Sequence, residues 1–186
     1  MKLRLIATFG ICCLIASCNT EKNPNPFKIN KQHVGYLTDS TLVKDLKTIF
    51  EADSIANFQE AESFTGKINT IEIFEKGGKP LLVLTPNNAK DSTATIESIR
   101  FIDPRYKTDK GISMASTFKD IQDAYEIKSI TNLINSVSIN LKNSNLTFTI
   151  DKKELPASAR FVDMEIDPIQ IPDKAKIKYF FMHWNN

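Results

Sequence analysis

Between residues 41 and 50 the apolar positions Leu42, Val43, Leu46, Ile49 and Phe50 fall at i, i+1, i+4, i+7 and i+8. That spacing lays one continuous stripe along an amphipathic helix. Phe118, Ile121, Ala124 and Tyr125 repeat the pattern. Both predicted helices begin with residues suited to a helix start: Ser40 or Thr41 precedes the first, and Thr117 with Asp120 resembles a capping box before the second. Gly35 and Gly111, ahead of those starts, permit a tight backbone turn. Elsewhere the period drops to two. Ile71 and Ile73 alternate with polar neighbours and Leu82 and Leu84 return after "KGGK", Lys76 to Lys79. Val137, Ile139 and Leu141 answer Leu146, Phe148 and Ile150 across "KNSN". These runs predict two antiparallel hairpins with one buried face each. A third strand is predicted in each half, Ile96 to Ile102 and Arg160 to Ile166, stopped by Asp-Pro because proline has no N–H for the ladder. The closing run Lys176 to Trp184 is apolar on both faces around Tyr179, Phe180 and Phe181, so it should be a well-covered strand, either central or at a junction.

The elements recur in the same order. "TLVKDLKTIF" from Thr41 matches "STFKDIQDAY" from Ser116, and "INTIEIFEKGGKPLLVLT" from Ile68 aligns without a gap on "INSVSINLKNSNLTFTID" from Ile134. Both halves then reach Ile-Asp-Pro, at Ile102 and Ile166, and Asp-Lys, at Asp109 and Asp173. Four matches in one order indicate two tandem units, residues 34–110 and 111–186. The expected fold class is therefore α+β: two helix-plus-antiparallel-meander units with the helices packed on one face of the sheets. This pattern resembles the fold shared by the β-lactamase inhibitory protein and the small lipoproteins of the outer-membrane assembly machinery. The resemblance implies a protein-binding module rather than an enzyme, and it carries over no functional residue.

The first seventeen residues follow another logic. Lys2 and Arg4 form a basic start, Leu5 to Ile15 an apolar stretch, and Ala16-Ser17 a small-residue processing site. A mainly apolar stretch of eleven residues is too short to cross a bilayer, which needs roughly 20. Ile15-Ala16-Ser17-Cys18 resembles the lipobox of bacterial lipoproteins, with Ile15 where leucine is usual. The resemblance implies removal of residues 1–17, acylation of Cys18, and a protein tethered in the cell envelope; with no block of acidic residues after Cys18, the expected place is the outer membrane facing the periplasm. An ordinary secretory signal that happens to contain Cys18 is the alternative. Residues 18–33 then read as the lipidated cysteine and a polar, proline-containing tether.

Removal of the signal also changes the charge. The chain has 24 Lys and Arg against 22 Asp and Glu, and loss of Lys2 and Arg4 leaves 22 against 22. A balanced surface argues against nucleic acid as partner. Cys12 and Cys13 leave with the signal and Cys18 is capped by lipid, so no thiol remains for a disulfide, a nucleophile or a zinc site. His33 and His183 are the only histidines and stand far apart in sequence. No hydrolase or phosphate-loop motif occurs, no cofactor is expected, and Gly77-Gly78 reads as a turn. Asp103 and Asp167, each before proline, end strands more readily than they form a catalytic carboxylate pair.

Two functional classes remain: a non-catalytic envelope lipoprotein that binds a protein or other macromolecule, as inhibitor, immunity or assembly accessory, and a small periplasmic hydrolase or ligand carrier. Apart from the lipidation residue Cys18, the candidate binding residues are Arg105, Tyr106 and Lys107, in the segment joining the two units. Their counterparts are Ile169, Gln170 and Ile171. Arg and Tyr combine large contact area with a polar end, which suits a recognition surface.

Overall fold

A computed structural model describes residues 25–63, 66–88, 90–161 and 165–184. In chain order its strands and helices are β1 (Lys28–Ile29), β2 (His33–Val34), β3 (Leu37–Thr38), α1 (Leu46–Ile49), β4 (Ser54–Ser63), β5 (Gly66–Phe74), β6 (Pro80–Pro86) and β7 (Ile96–Phe101). There follow β8 (Lys107–Thr108), α2 (Phe118–Ala124), β9 (Ile127–Asn132), β10 (Ser136–Leu141), β11 (Leu146–Asp151) and β12 (Ile177–His183). The main sheet has eight strands in the order β4-β5-β6-β7-β12-β11-β10-β9, every neighbouring pair antiparallel. Two four-stranded meanders thus meet where β7 pairs with β12.

The sheet is built around one row of apolar side chains. Ile55, Ile73, Leu82, Phe101, Phe180, Phe148, Ile139 and Ile130 are successive cross-strand partners, one from each strand. The six central members are almost inaccessible to water. Phe180 stands at the middle, its ring 4.4 Å from Phe101 and 4.5 Å from Phe148 between centroids. Direct cross-strand aromatic pairs add to the burial that each side chain contributes alone. All six belong to a single hydrophobic cluster that also takes in Ile29, Leu46 and Phe118.

The two hairpins share a register. Ile71 faces Leu84 and Ile73 faces Leu82 in the first; Val137 faces Ile150 and Ile139 faces Phe148 in the second. The helix starts are also held alike. The Val43 and Lys44 N–H groups donate to the carbonyls of Ala94 and Ser92, ahead of β7, and those of Phe118 and Lys119 donate to Ala175 and Asp173, ahead of β12. At α2 the Thr117 hydroxyl and the Asp120 carboxylate complete the capping box.

Three expectations need correction. The class is mainly β, not helix-packed α+β: α2 has seven residues, and the first stripe forms a 3-10 turn (Val43–Asp45) followed by the single turn of α1. So short a helix has little stability of its own. Leu42 instead bridges Thr95 as extended chain, and the apolar stripe buries Leu46 and Phe50 without needing a long helix. The outer strands β4 and β9 take residues that the periodicity left unassigned.

The strand expected from Arg160 to Ile166 is absent from the described part of that range. The link between β11 and β12 carries 3-10 turns at Lys152–Glu154, Ala157–Ala159 and Pro168–Gln170. Pro156, Pro168 and Pro172 deny it ladder donors, and both edges of β11 are already taken by β10 and β12. The two Ile-Asp-Pro runs are therefore not equivalent: Asp103 is buried after β7, whereas Asp167 caps the turn at Pro168.

The segment assigned to a tether up to residue 33 is folded over its described part. β1 pairs with β2 and, in parallel, with β8, giving a small sheet of order β3-β2-β1-β8 with Ile29 in the core. Gly35 makes the turn from β2 into β3 at φ +56°, where a Cβ would lie 2.2 Å from the Pro26 carbonyl oxygen. Only glycine fits that approach.

Candidate functional site

The small sheet, α1 and the β5–β6 hairpin enclose a half-open hollow of about 620 Å³. Val34 from β2, Leu81 from β6 and Tyr106 beside β8 are its buried lining, Phe27, Ile49 and Phe50 are further apolar walls, and Tyr36 is an exposed rim. Each is placed by a different element. Ile49 and Phe50 end the α1 stripe; Phe27 and Tyr36 flank the strands of the small sheet; Tyr106 packs edge-on to Phe27 at 5.1 Å and lies 5.7 Å from Phe101 in the central row. The hollow is thereby fixed to the core.

Its charged lining is entirely acidic: Glu51, Asp53 and Glu75. Glu75 is matched by Arg105, whose Nη1 donates to it at 2.9 Å. Asp53 and Glu51 have no ion-pair partner among the described residues. Burial pushes the Asp53 carboxyl above its usual range, and the negative charge of Glu75 adds to this against an opposing effect of Arg105. Burial, followed by the charges of Asp53 and Asp103, likewise raises the Tyr106 hydroxyl.

Beside the hollow, Asp103 is the centre of a compact ionic network. Its carboxylate accepts from the Arg105 backbone N–H at 2.8 Å, from Nε at 3.1 Å and Nη2 at 2.9 Å, and from Lys79 Nζ at 2.7 Å. Burial alone would raise its pKa, but the bonds from Arg105 and Lys79 outweigh that and hold it well below the carboxylate range. The Arg105 guanidinium also lies over the Phe27 ring at 4.3 Å.

This geometry redistributes the residues singled out in the sequence. Tyr106 is 3 % exposed, so its ring is part of the core rather than a presented anchor. Arg105 is committed to Asp103, Glu75 and Phe27, and Lys107 is the exposed member of the three. Cys18 and residues 1–17 lie outside the described residues. His33 is exposed on β2. His183 stacks on Phe181 with ring centroids 5.9 Å apart, and burial lowers its pKa against a weaker opposite effect of Glu97. Among the described residues no three His, Cys, Asp or Glu side chains are grouped to hold a metal ion.

Sequence reasoning missed Phe27 and the Glu51–Asp53 pair. Phe27 is the one aromatic residue in the polar segment assigned to the tether, and an isolated aromatic there is the signal that the chain has already entered a core. "EAD", following the helical stripe, carried no comparable signal, because its proximity to Glu75 depends on the fold.

No family model matches the chain, and no curated protein matches it. Among solved structures it is similar to the uncharacterized protein yfeY from Escherichia coli, with 14% identity, a TM-score of 0.60, and coverage of 84% of this chain and 99% of that one. At that identity the likeness shows a common fold.

Proposed function

We propose that this chain is a non-catalytic lipoprotein of the bacterial envelope that takes an apolar side chain or segment with a cationic end, presented by a protein partner, into the hollow beside Tyr106. The observation that carries this reading is the pairing of an apolar lining with carboxylates, of which Asp53 and Glu51 have no cation of their own. Such a site favours a positive group over a negative one and gives that group an apolar seat for its stem. Without a catalytic step, the two histidines need no neighbouring nucleophile. His33 sits on β2 and His183 on β12.

A specific observation also favours a second reading, that of a small-ligand carrier. A volume of about 620 Å³ falls in the ~300–1,000 Å³ range of small-molecule pockets. Native mass spectrometry of protein purified from the envelope separates the two, since a carried amphiphile adds a discrete small mass.

The test of the first reading is crosslinked capture from native envelope with Asp53→Asn combined with Glu51→Gln. Capture is expected to fall at least about tenfold, because truncating one side of a partly buried charge contact costs on the order of 2 kcal/mol or more. Stability should not fall. A carboxyl whose folded pKa is raised is disfavoured in its charged form, so its amide is neutral to slightly stabilising above that pKa. Undiminished capture by a folded double variant would refute the site.

Envelope attachment is tested separately. Cys18→Ser should move the protein from the membrane to the soluble fraction, since several acyl chains at ~0.8 kcal/mol per buried CH₂ give durable anchoring. Retention of the variant in the membrane at unchanged mass would overturn the lipid anchor.

A further inference from the structure

A second charged hollow lies in the other meander, where the β9–β10 turn meets the segment after β11. About 470 Å³ in volume, it is lined by Ile134, Asn135, Asp151, Lys152, Lys153, Arg160 and Lys178. Among the described residues four cations thus face one carboxylate, and that carboxylate is used by Lys178 at 2.8 Å. Arg160 spends its guanidinium on the carbonyls of Leu155 and Lys153, at 2.8 and 3.1 Å, which leaves its charge unmatched. Lys152 is 5 % exposed and its ammonium has no hydrogen-bond partner among the described residues. Nearby Glu154 accepts from the Lys176 backbone N–H rather than from any of these cations. A buried, unpartnered ammonium is unfavourable unless an anion joins it.

Next to this hollow the chain exposes three large apolar residues. Leu133 is 43 %, Ile134 75 % and Phe161 65 % exposed. They are neighbours: Asn132 Nδ2 donates to the Phe161 carbonyl at 2.8 Å, and the Lys152 N–H donates to the Asn135 carbonyl at 3.1 Å, so turn, apolar side chains and cations form one tip. At the far end of β10 the next turn touches the N-terminal region, where Asn145 Nδ2 donates to the Lys31 carbonyl. The tip is therefore at the opposite end of β10 from Lys31.

We propose that this tip docks on an anionic lipid surface, with Leu133, Ile134 and Phe161 entering the headgroup layer and a lipid phosphate seated among Lys152, Lys153 and Arg160. Apolar side chains fringed by uncompensated cations match such a surface in both polarity and charge. The contact is separate from acylation of Cys18 and from the acidic hollow beside Tyr106, and it stands if either of those readings fails.

The full chain carrying Ile134→Trp reports on the tip itself, against the single, mostly buried Trp184 of the parent. Vesicles of phosphatidylcholine with about a third phosphatidylglycerol should shift the new emission to the blue and protect it from iodide, whereas phosphatidylcholine alone should not. Adding Lys153→Glu, an exposed position, should raise the lipid needed for half the shift by about tenfold or more at unchanged thermal stability. Equal shifts with both vesicles, or no effect of Lys153→Glu in a folded chain, would overturn the proposal. Inorganic phosphate reproducing the shift without lipid would assign the hollow to a soluble anion and also overturn the lipid contact.

Discussion

Phe180→Ala is expected to lower the free energy of unfolding by about 3–5 kcal/mol, the range for removal of a large buried aromatic side chain. The upper half of that range applies because Phe180 lies in the middle of the row, packed between Phe101 and Phe148 on the two strands it joins. Its loss leaves a cavity where the meanders meet, and backbone pairing on both sides restricts collapse into it. Tyr179, one residue earlier, points to the opposite face and is 37 % exposed, so Tyr179→Ala should cost about 1 kcal/mol or less. Urea denaturation of both variants measures the contrast. Equal losses would show that the row through Phe180 does not hold the sheet together.

The other large effect is expected at Asp103. Asp103→Asn removes the charge that gathers Arg105 and Lys79, at an expected loss of about 2–3 kcal/mol near neutral pH. The figure stays below that of a wholly buried pair because the side chains of Arg105 and Lys79 remain 38 % and 55 % exposed and are rehydrated when their partner goes. The pH dependence has a definite sign. The folded-state pKa of Asp103 is depressed, so its contribution is present above the ordinary carboxylate value near ~4 and is lost as pH falls through the lower folded value. The gap between parent and variant should therefore shrink below about pH 4. A gap that stayed constant on acidification would mean that shape rather than charge accounts for the role of Asp103.

Much of the sheet was legible in particular residues. Ile71, Ile73, Leu82 and Leu84 alternate cleanly about a glycine turn, as Val137, Ile139, Phe148 and Ile150 do about "KNSN", and both registers follow from those patterns. The doubled apolar run around Phe180 marked a covered strand, and β12 lies at the junction with β7. The first helix is shorter than its stripe implies because Leu42 to Phe50 has the right spacing but too few residues to sustain a helix, while hydrogen bonds to Ala94 and Ser92 draw its start toward the sheet. The Ile-Asp-Pro match misled for a different reason. Identical tripeptides fill unlike roles, a buried ionic centre at Asp103 and a turn cap at Asp167. Of the candidate site, the chemistry of Tyr106 and Arg105 is legible in the sequence, but their burial and internal pairing are not. The hollow they adjoin joins Phe27, Asp53 and Glu75, which are distant in sequence and share no local pattern.

The measurement that bears most directly on the binding role is site-specific photocrosslinking in living envelope. A photoreactive residue is placed either at Tyr36, on the rim of the acidic hollow, or at Ile169, which is 90 % exposed and outside it. A partner seated in the hollow predicts a discrete higher-mass product from position 36 that is lost on addition of Asp53→Asn with Glu51→Gln, and no such product from position 169. No product from position 36, or the same product from both positions, would contradict the account.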